Sequence, residues 1–250
     1  MATKDHQSEP IESASETLQR IFDGHGSVLG SQMADESSRY DVLKKTDFPK
    51  PQRTRRIAVA NQKGGVGKTT STVNTAAALA NKGAQVLVID MDPQGNASTA
   101  LGVSHASGEP SVYDVIEGRS DLGDVITVCP DFPTLDVVPA SIDLSGAELE
   151  VADLPNRNTL LKEALDLYLR QSDKHYDYVF IDCPPSLGLL VINAMCAVTE
   201  MLIPIQAEYY ALEGLGQLIN TIGLVQEHFN PVLLVSTMLV TMFDRRTLLS

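Results

Sequence analysis

The chain has 250 residues, of which 43% are hydrophobic, and a formal net charge of −13 at pH 7. This length allows one sizeable α/β core, while the lack of an eighteen-residue apolar run or a basic, apolar start argues against a membrane span or secretory signal. The acidity restricts any nucleic-acid contact to a small basic patch. Cys129, Cys183 and Cys196 form no C-x-x-C pair, which argues against a zinc site or disulfide framework. We therefore expect a cytoplasmic protein with no membrane association.

The first 53 residues differ in composition from the rest of the chain. They are polar and lack sustained apolar periodicity, so we predict a mostly disordered extension over 1–53, preceding a single domain over 54–250. As an exception, SASETLQRIF predicts a short amphipathic helix, because Leu18, Ile21 and Phe22 follow helical spacing. We interpret the basic segment KPQRTRR, which follows, as a solvated tether rather than a DNA contact.

From Arg56 onward, apolar β-branched runs alternate with helical stretches. The predicted strands are RIAVA, AQVLVID, LDVVPA, YDYVFID, MLIPIQ and VLLVSTMLV, and the predicted helices lie near 67–82, 141–152, 158–172, 187–198 and 210–228. This alternation predicts an α/β fold with a mostly parallel sheet flanked by helices on both faces. Because the chain stops at RTLLS, soon after the last predicted strand, we expect the domain to be incomplete at its carboxyl end.

A glycine-rich loop, NQKGGVGKTT, follows the first predicted strand. Gly64, Gly65 and Gly67 let the backbone turn tightly and present N–H groups to an anion at the start of the next helix. Lys68 would place its ammonium against the β- and γ-phosphates of a nucleotide, and the Thr69 hydroxyl would bind Mg²⁺. The loop therefore predicts a phosphate site.

The same loop departs from the ordinary phosphate-binding pattern at two positions. The pattern G-x-x-x-x-G-K-[ST] requires glycine where this chain has Gln62, and it requires no lysine at Lys63. Val66 completes the loop, and Thr70 would donate a hydrogen bond to the α-phosphate. The second lysine is the feature that the ordinary pattern does not explain.

Acidic residues follow two other predicted strands. YDYVFID ends in Asp182, the place for a carboxylate that holds Mg²⁺ directly or through water. AQVLVID ends in Asp90 and continues to Asp92 in a Pro-Gly turn. Because open α/β sheets bind ligands at the carboxyl ends of their strands, we expect the glycine-rich loop and these carboxylates to form one site.

At this point the chain resembles a known family. The xKGGxGK[ST] loop resembles the deviant Walker A motif of the ParA/MinD group of P-loop ATPases. DMDPQGNAS, FIDCPPSLG, QAEYYALEGL and TMFDRRTLLS are similar more specifically to ParA (Soj-type) chromosome and plasmid partitioning proteins. The resemblance covers residues 56–250 and leaves the amino-terminal extension outside.

The resemblance implies roles for individual residues. Lys63 would act in trans, reaching the phosphates bound by the other protomer of an ATP-sandwich homodimer. Asp92 would position or activate the attacking water, Asp182 would lie on the metal side, and Asp90 would be structural. The family pattern also places non-specific DNA binding at Arg246. Arg245, beside it, stands where the family often has a small residue.

The resemblance further implies an ATP- and Mg²⁺-dependent switch with weak intrinsic ATPase activity. The ATP dimer would bind nucleoid DNA without reading sequence, and a ParB-like centromere-binding adaptor would stimulate hydrolysis and release. The extension could recruit a polar scaffold. Alternatives are a MinD-like membrane-associated regulator and a ParA-like cargo-positioning ATPase. An iron–sulfur carrier is disfavoured, because Cys183 has no convincing second cluster ligand.

Overall fold

The computed structural model describes residues 28–46, 48–207 and 211–243, and within them the side chains from residue 33 onward except those of 148 and 211–213. Contacts divide the chain into two units, Met1–Pro49 and Lys50–Ser250. The first unit contains helix α1, Val28–Lys45. The short helix predicted over 13–22 lies outside the described residues.

Helix α1 departs from the disorder predicted for 1–53. The sequence does not signal this helix, because its apolar residues do not gather on one face. Met33, Tyr40, Val42 and Leu43 are all exposed. Lys44 and Lys45 lie in the last turn, where positive charge interacts favourably with the helix dipole. The helix therefore has a stabilised carboxyl end, and its side chains from residue 33 onward form no buried apolar stripe.

The second unit contains seven strands and seven α-helices among its described residues. The strands are β1 Arg55–Val59, β2 Val86–Asp90, β3 Thr127–Val128, β4 Leu135–Val138, β5 Tyr178–Asp182, β6 Glu200–Gln206 and β7 Leu234–Thr241. The helices are α2 Lys68–Asn81, α3 Asn96–Ala100, α4 Val112–Ile116, α5 Leu144–Glu150, α6 Leu160–Gln171, α7 Leu189–Ala197 and α8 Ala211–His228, with a 3₁₀ turn over Leu122–Val125.

The strands form one sheet in the order β3-β4-β2-β5-β1-β6-β7. All neighbours are parallel except β3, which runs antiparallel to β4. In the register, Asp182 lies beside both Val59 and Asp90. The carboxyl ends of β1, β2 and β5 therefore meet at one edge of the sheet, which is where the functional site forms.

Alternation along the strands divides the core into two layers. Val86 and Val88 belong to one cluster with Ala76 and Ala80 of α2. Leu87 belongs to a second cluster, together with residues of other strands that face the same side of the sheet and with residues of α4 to α8. Helices thus cover both faces, and the predicted α/β fold with a mostly parallel sheet is confirmed.

All six strands and all five helices predicted for residues 54–250 are present. Within the second unit, the elements that were not predicted are short: α3 and α4 have five residues each, and β3 has two. Periodicity cannot be read over such lengths. Helix α4 nonetheless had a local signal, since Ser111 and Asp114 form a capping box.

The solvated-tether interpretation of KPQRTRR is wrong for three of its residues. Lys50 pairs with Asp177 at 3.2 Å, Arg55 makes a bidentate pair with Glu200, and Arg56 pairs with Asp166. The last two arginines already belong to β1. The segment is fixed to the sheet by ion pairs, which also removes these cations as free phosphate contacts.

The glycines of α8 are not explained by tight packing within the monomer. A Cβ atom added to Gly214, Gly216 or Gly223 would meet no heavy atom of the described chain within 4 Å. Close packing of α8 against the described part of the same subunit therefore does not account for these glycines.

Candidate nucleotide-binding site

The loop between β1 and α2 is an open backbone cradle. Gly65 has φ +73° and Gly67 has φ +90°, conformations that glycine adopts without steric cost. A Cβ added to Gly64 or Gly65 would meet nothing within 4 Å among the described residues. Because this space lies at the amino end of a 14-residue helix, it fits a phosphate group.

Contacts from two strands hold this cradle in place. Asn61 is buried, donates through Nδ2 to the Pro204 carbonyl at 2.7 Å, and accepts at Oδ1 from the Lys63 N–H at 3.0 Å. Thr241, at the end of β7, donates to the Val66 carbonyl at 2.9 Å. The loop is thereby fixed to β6 and β7 before any ligand is bound.

Lys68 begins α2 and is only 7% exposed. Its Nζ donates to the Lys63 carbonyl at 3.1 Å. Burial lowers the pKa of this ammonium, whereas the nearby Asp182, Cys183 and Asp92 raise it. A buried cation beside an open anion cradle is placed to neutralise the phosphates of a nucleotide.

Asp182 ends β5 and is fully buried. Its Oδ1 accepts from the Thr72 hydroxyl at 3.0 Å, and the Thr69 side chain lies close enough to lower the pKa of this carboxyl group. Oδ2 has no hydrogen-bond partner among the described residues. Burial raises the pKa of Asp182 to about 7, with further increases from Asp90 and Asp92 and an opposing effect of the two threonines.

This carboxylate fits a divalent cation. Mg²⁺ prefers oxygen ligands and is commonly held by one or two protein groups together with substrate phosphates. The chain offers the orphaned Oδ2 of Asp182 and the Thr69 hydroxyl at the mouth of the cradle. The predicted pair of Thr69 and Asp182 is thus brought together by the fold.

Asp90 and Asp92 have different surroundings although they are two residues apart. Asp90 is fully buried and accepts three hydrogen bonds, from the N–H and hydroxyl of Ser98 and from the Asp92 N–H, at 2.7–3.1 Å. Asp92 is 7% exposed and accepts from the Gln94 N–H at 3.0 Å. Asp90 therefore holds the turn, and Asp92 retains acceptor capacity.

The structure brings most of the predicted site residues to one edge of the sheet. Lys63 to Thr70 form the loop and the start of α2, and Asp92 and Asp182 lie close enough to perturb the Lys68 pKa. Thr70 is exposed. The DNA-binding candidates Arg245 and Arg246 lie outside the described residues.

Four residues whose side chains hold the site in place were not identified from the sequence: Asn61, Thr72, Ser98 and Thr241. Thr72 had a detectable signal, because it lies one helical turn after Lys68 and so shares a face with it. Asn61 follows a buried strand directly, a position that favours side-chain to backbone bonds. Ser98 and Thr241 are placed by tertiary contacts that no local pattern encodes.

The fold and site together define a phosphate-binding-loop nucleotide-binding protein. Within that class, a family model described as an AAA domain matches residues 54–235. The sporulation initiation inhibitor protein Soj of Bacillus subtilis (strain 168) is 51% identical over 191 residues, covering 76% of this chain and 74% of that relative. The chromosome partitioning protein ParA of Caulobacter vibrioides (strain NA1000 / CB15N) is 46% identical over 194 residues, covering 78% and 72%.

A similar solved structure is that of cobyrinic acid a,c-diamide synthase from Mycobacterium smegmatis with bound ADP and magnesium. It is 40% identical, has a TM-score of 0.71, and the match covers 78% of this chain and 77% of that chain. A second structure of the same protein contains an ATP analogue and magnesium. The chain belongs to the Soj/ParA family of chromosome-partitioning ATPases, as its motifs indicated.

Proposed function

We propose that this chain is an ATP-dependent DNA-partitioning switch that uses Mg²⁺ and works as a homodimer. The observation that carries the proposal is the fully buried Asp182, whose Oδ2 lacks a partner among the described residues and whose charge acts on Lys68 at the end of the glycine loop. Family membership supplies the biological setting, and the site supplies the chemistry.

The loop backbone from Lys63 to Thr70 holds the phosphates. Lys68 neutralises their charge from a buried position, while Thr69 and Asp182 hold the metal. When bound, Mg²⁺ supplies charge neutralisation at the β- and γ-phosphates. The residues that do this are held by Asn61, Thr72 and Thr241, so little reorganisation is needed on binding.

Asp92 positions the attacking water. Its carboxylate lies at the carboxyl end of the sheet, its Oδ1 is fixed by the Gln94 N–H, and its backbone is fixed by the Asp90 carboxylate. This arrangement fixes a hydrogen-bond acceptor without consuming all of its lone pairs. Orientation of water by one such acceptor is consistent with weak intrinsic hydrolysis that a ParB-like adaptor stimulates.

Lys63 delivers its charge to the phosphates of the partner protomer. Its backbone is fixed within the loop through the bond from its N–H to Asn61. A cation supplied in trans neutralises phosphate charge much as an arginine finger does. Nucleotide binding and dimerisation are thereby coupled.

The dimer binds nucleoid DNA through Arg246 and Arg245 of both protomers. Such contacts read phosphate rather than bases, and two weak patches on one particle gain from avidity. The extension over 1–53 recruits a polar scaffold in this scheme. Among the described residues, no helix combines the length and apolar character needed to cross a membrane.

The test is retention on a non-specific duplex with ATP, with ADP and without nucleotide, at two salt concentrations. We expect retention only with ATP and a steep loss as salt rises, because phosphate contacts release counterions. Equal retention in all three nucleotide states would contradict the switch. Binding to anionic liposomes in place of DNA would support the MinD-like alternative.

A further inference from the structure

The imidazole of His105 lies directly on the turn that carries Asp92. A Cβ atom added to Gly95 would be 2.5 Å from His105 Nδ1 and 2.6 Å from Cε1. Gly95 adopts the left-handed helical backbone conformation, with φ +63° and ψ 26°. Its N–H donates to the Asp92 carbonyl at 2.8 Å. The ring therefore covers the residue that closes the Asp92 turn.

A hydrogen bond fixes the ring in this position. His105 Nε2 lies 2.8 Å from the Thr99 hydroxyl, and the Thr99 N–H donates to the Gly95 carbonyl at 2.9 Å. Gly95, Thr99 and His105 thus form a closed set of contacts. Movement of Gly95 would require the imidazole to lose either its packing or its hydrogen bond.

The backbone around His105 is also fixed on both sides. The Val103 N–H donates to the Ser98 carbonyl at 3.0 Å, and Val103 is buried. On the other side, Glu109 accepts from the Ser104 hydroxyl at 2.6 Å and from the Ala106 N–H at 2.9 Å. These bonds hold the loop, so the contact with Gly95 belongs to a defined loop conformation.

We infer that His105 is a positioning residue for Asp92, acting through Gly95. Gly95 has no side chain and can adopt other backbone conformations at little steric cost, and its two backbone hydrogen bonds leave its Cα uncovered on the side that faces the His105 ring. The ring supplies that restraint. This inference rests on the proposed function, in which Asp92 orients the attacking water, and it predicts an effect on hydrolysis but not on nucleotide affinity.

The first test measures the turn itself and needs no bound nucleotide. In His105→Ala we expect faster amide hydrogen exchange in peptides covering 92–96, with unchanged exchange in β5 and α2. His175→Ala is the matched control, because His175 is exposed and lies before β5, near the opposite edge of the sheet. Unchanged exchange in 92–96 would overturn the inference.

The second test separates turnover from binding. His105→Ala should lower kcat by about 10-fold, with KM and nucleotide affinity within about twofold of the unsubstituted chain, because misplacement of a catalytic group affects the chemical step. His105→Gln retains a polar group that can reach Thr99 and should recover part of the loss. Thr99→Val, which lacks the hydroxyl, should reproduce part of it.

The outcomes distinguish this inference from the proposed function. Normal turnover in His105→Ala, with an active unsubstituted chain, would overturn the positioning role alone. A loss shared equally between kcat and nucleotide affinity would also overturn it, since it would indicate a general structural defect. No hydrolysis by the unsubstituted chain, with or without DNA, would refute the proposed function and this inference with it.

Discussion

Replacing Asp182 with asparagine should stabilise the nucleotide-free fold at high pH while weakening the metal site. The carboxyl group is fully buried, and its pKa rises from 3.8 to about 7. Since each pKa unit corresponds to about 1.4 kcal/mol, holding this group ionised costs the fold on the order of 4 kcal/mol above pH 7. Asparagine retains the size and the acceptor for Thr72 without the charge.

Proton linkage determines how the contribution of Asp182 to folding stability changes with pH. Because the folded-state pKa lies above the unfolded value of 3.8, the folded state binds the proton more tightly between these two pH values. The stability from this group is therefore complete below about pH 4 and is lost as pH rises to about 7. Asp182→Asn should remove that pH dependence, so its stabilising effect should be small at pH 4.5 and largest at pH 8.

Urea unfolding of the nucleotide-free protein at both pH values measures this difference. We expect a gain of about 2 kcal/mol or more at pH 8 relative to pH 4.5, since relaxation reduces the full linkage value. Asp131→Asn, an exposed residue in the turn before β4, is the matched control. A variant that is destabilised equally at both pH values would refute the argument from burial.

The other substitutions test the nucleotide switch and its DNA contacts. Lys63→Ala should keep nucleotide affinity within about threefold but abolish ATP-dependent dimerisation in sedimentation velocity, because it removes the charge supplied in trans; normal dimers would contradict that role. Asp92→Ala should lower hydrolysis by about 100-fold or more and leave the ATP dimer on DNA; undiminished hydrolysis would show that another group orients the water. Arg246→Glu should weaken retention on all duplex sequences alike, and a loss confined to some sequences would indicate base readout.

The inner strands of the sheet were predictable because they are buried on both faces. Runs such as VLVID and YVFID contain almost only apolar residues, most of them β-branched or aromatic, which indicates buried strands. Each run ends in an aspartate, which indicates that the carboxyl end of the strand reaches a polar site. The glycine-rich loop was predictable for a related reason. Its glycines are required by backbone geometry, so the sequence itself carries the constraint.

The contacts that hold the site were less predictable. Thr241 reaches Val66 from 175 positions away in sequence, and Asn61 reaches Pro204 from 143 positions away. Such pairs depend on strand order, which local periodicity does not encode. The ion pairs of Arg55 and Arg56 could not be predicted for the same reason, since their acidic partners lie on elements distant in sequence.

The charge distribution limits how this acidic chain can hold DNA. In the second unit, Lys50, Arg55 and Arg56 lie in ion pairs with carboxylates, and so do the three cations Arg119, Lys162 and Lys174. These six cations release few DNA counterions, and we assign the phosphate contacts to the proposed Arg245 and Arg246. Two such residues in each protomer predict a slope of about −4 in a plot of log affinity against log salt for the ATP dimer.

A chain that cannot dimerise should show a smaller slope of log affinity against log salt. Lys63→Ala with ATP should give a slope of about −2 and an affinity too weak for stable retention, because only one patch contacts the duplex. Fluorescence anisotropy at several salt concentrations measures both slopes. Equal slopes for the two proteins would show that a monomer makes every phosphate contact, which would separate DNA binding from the nucleotide switch.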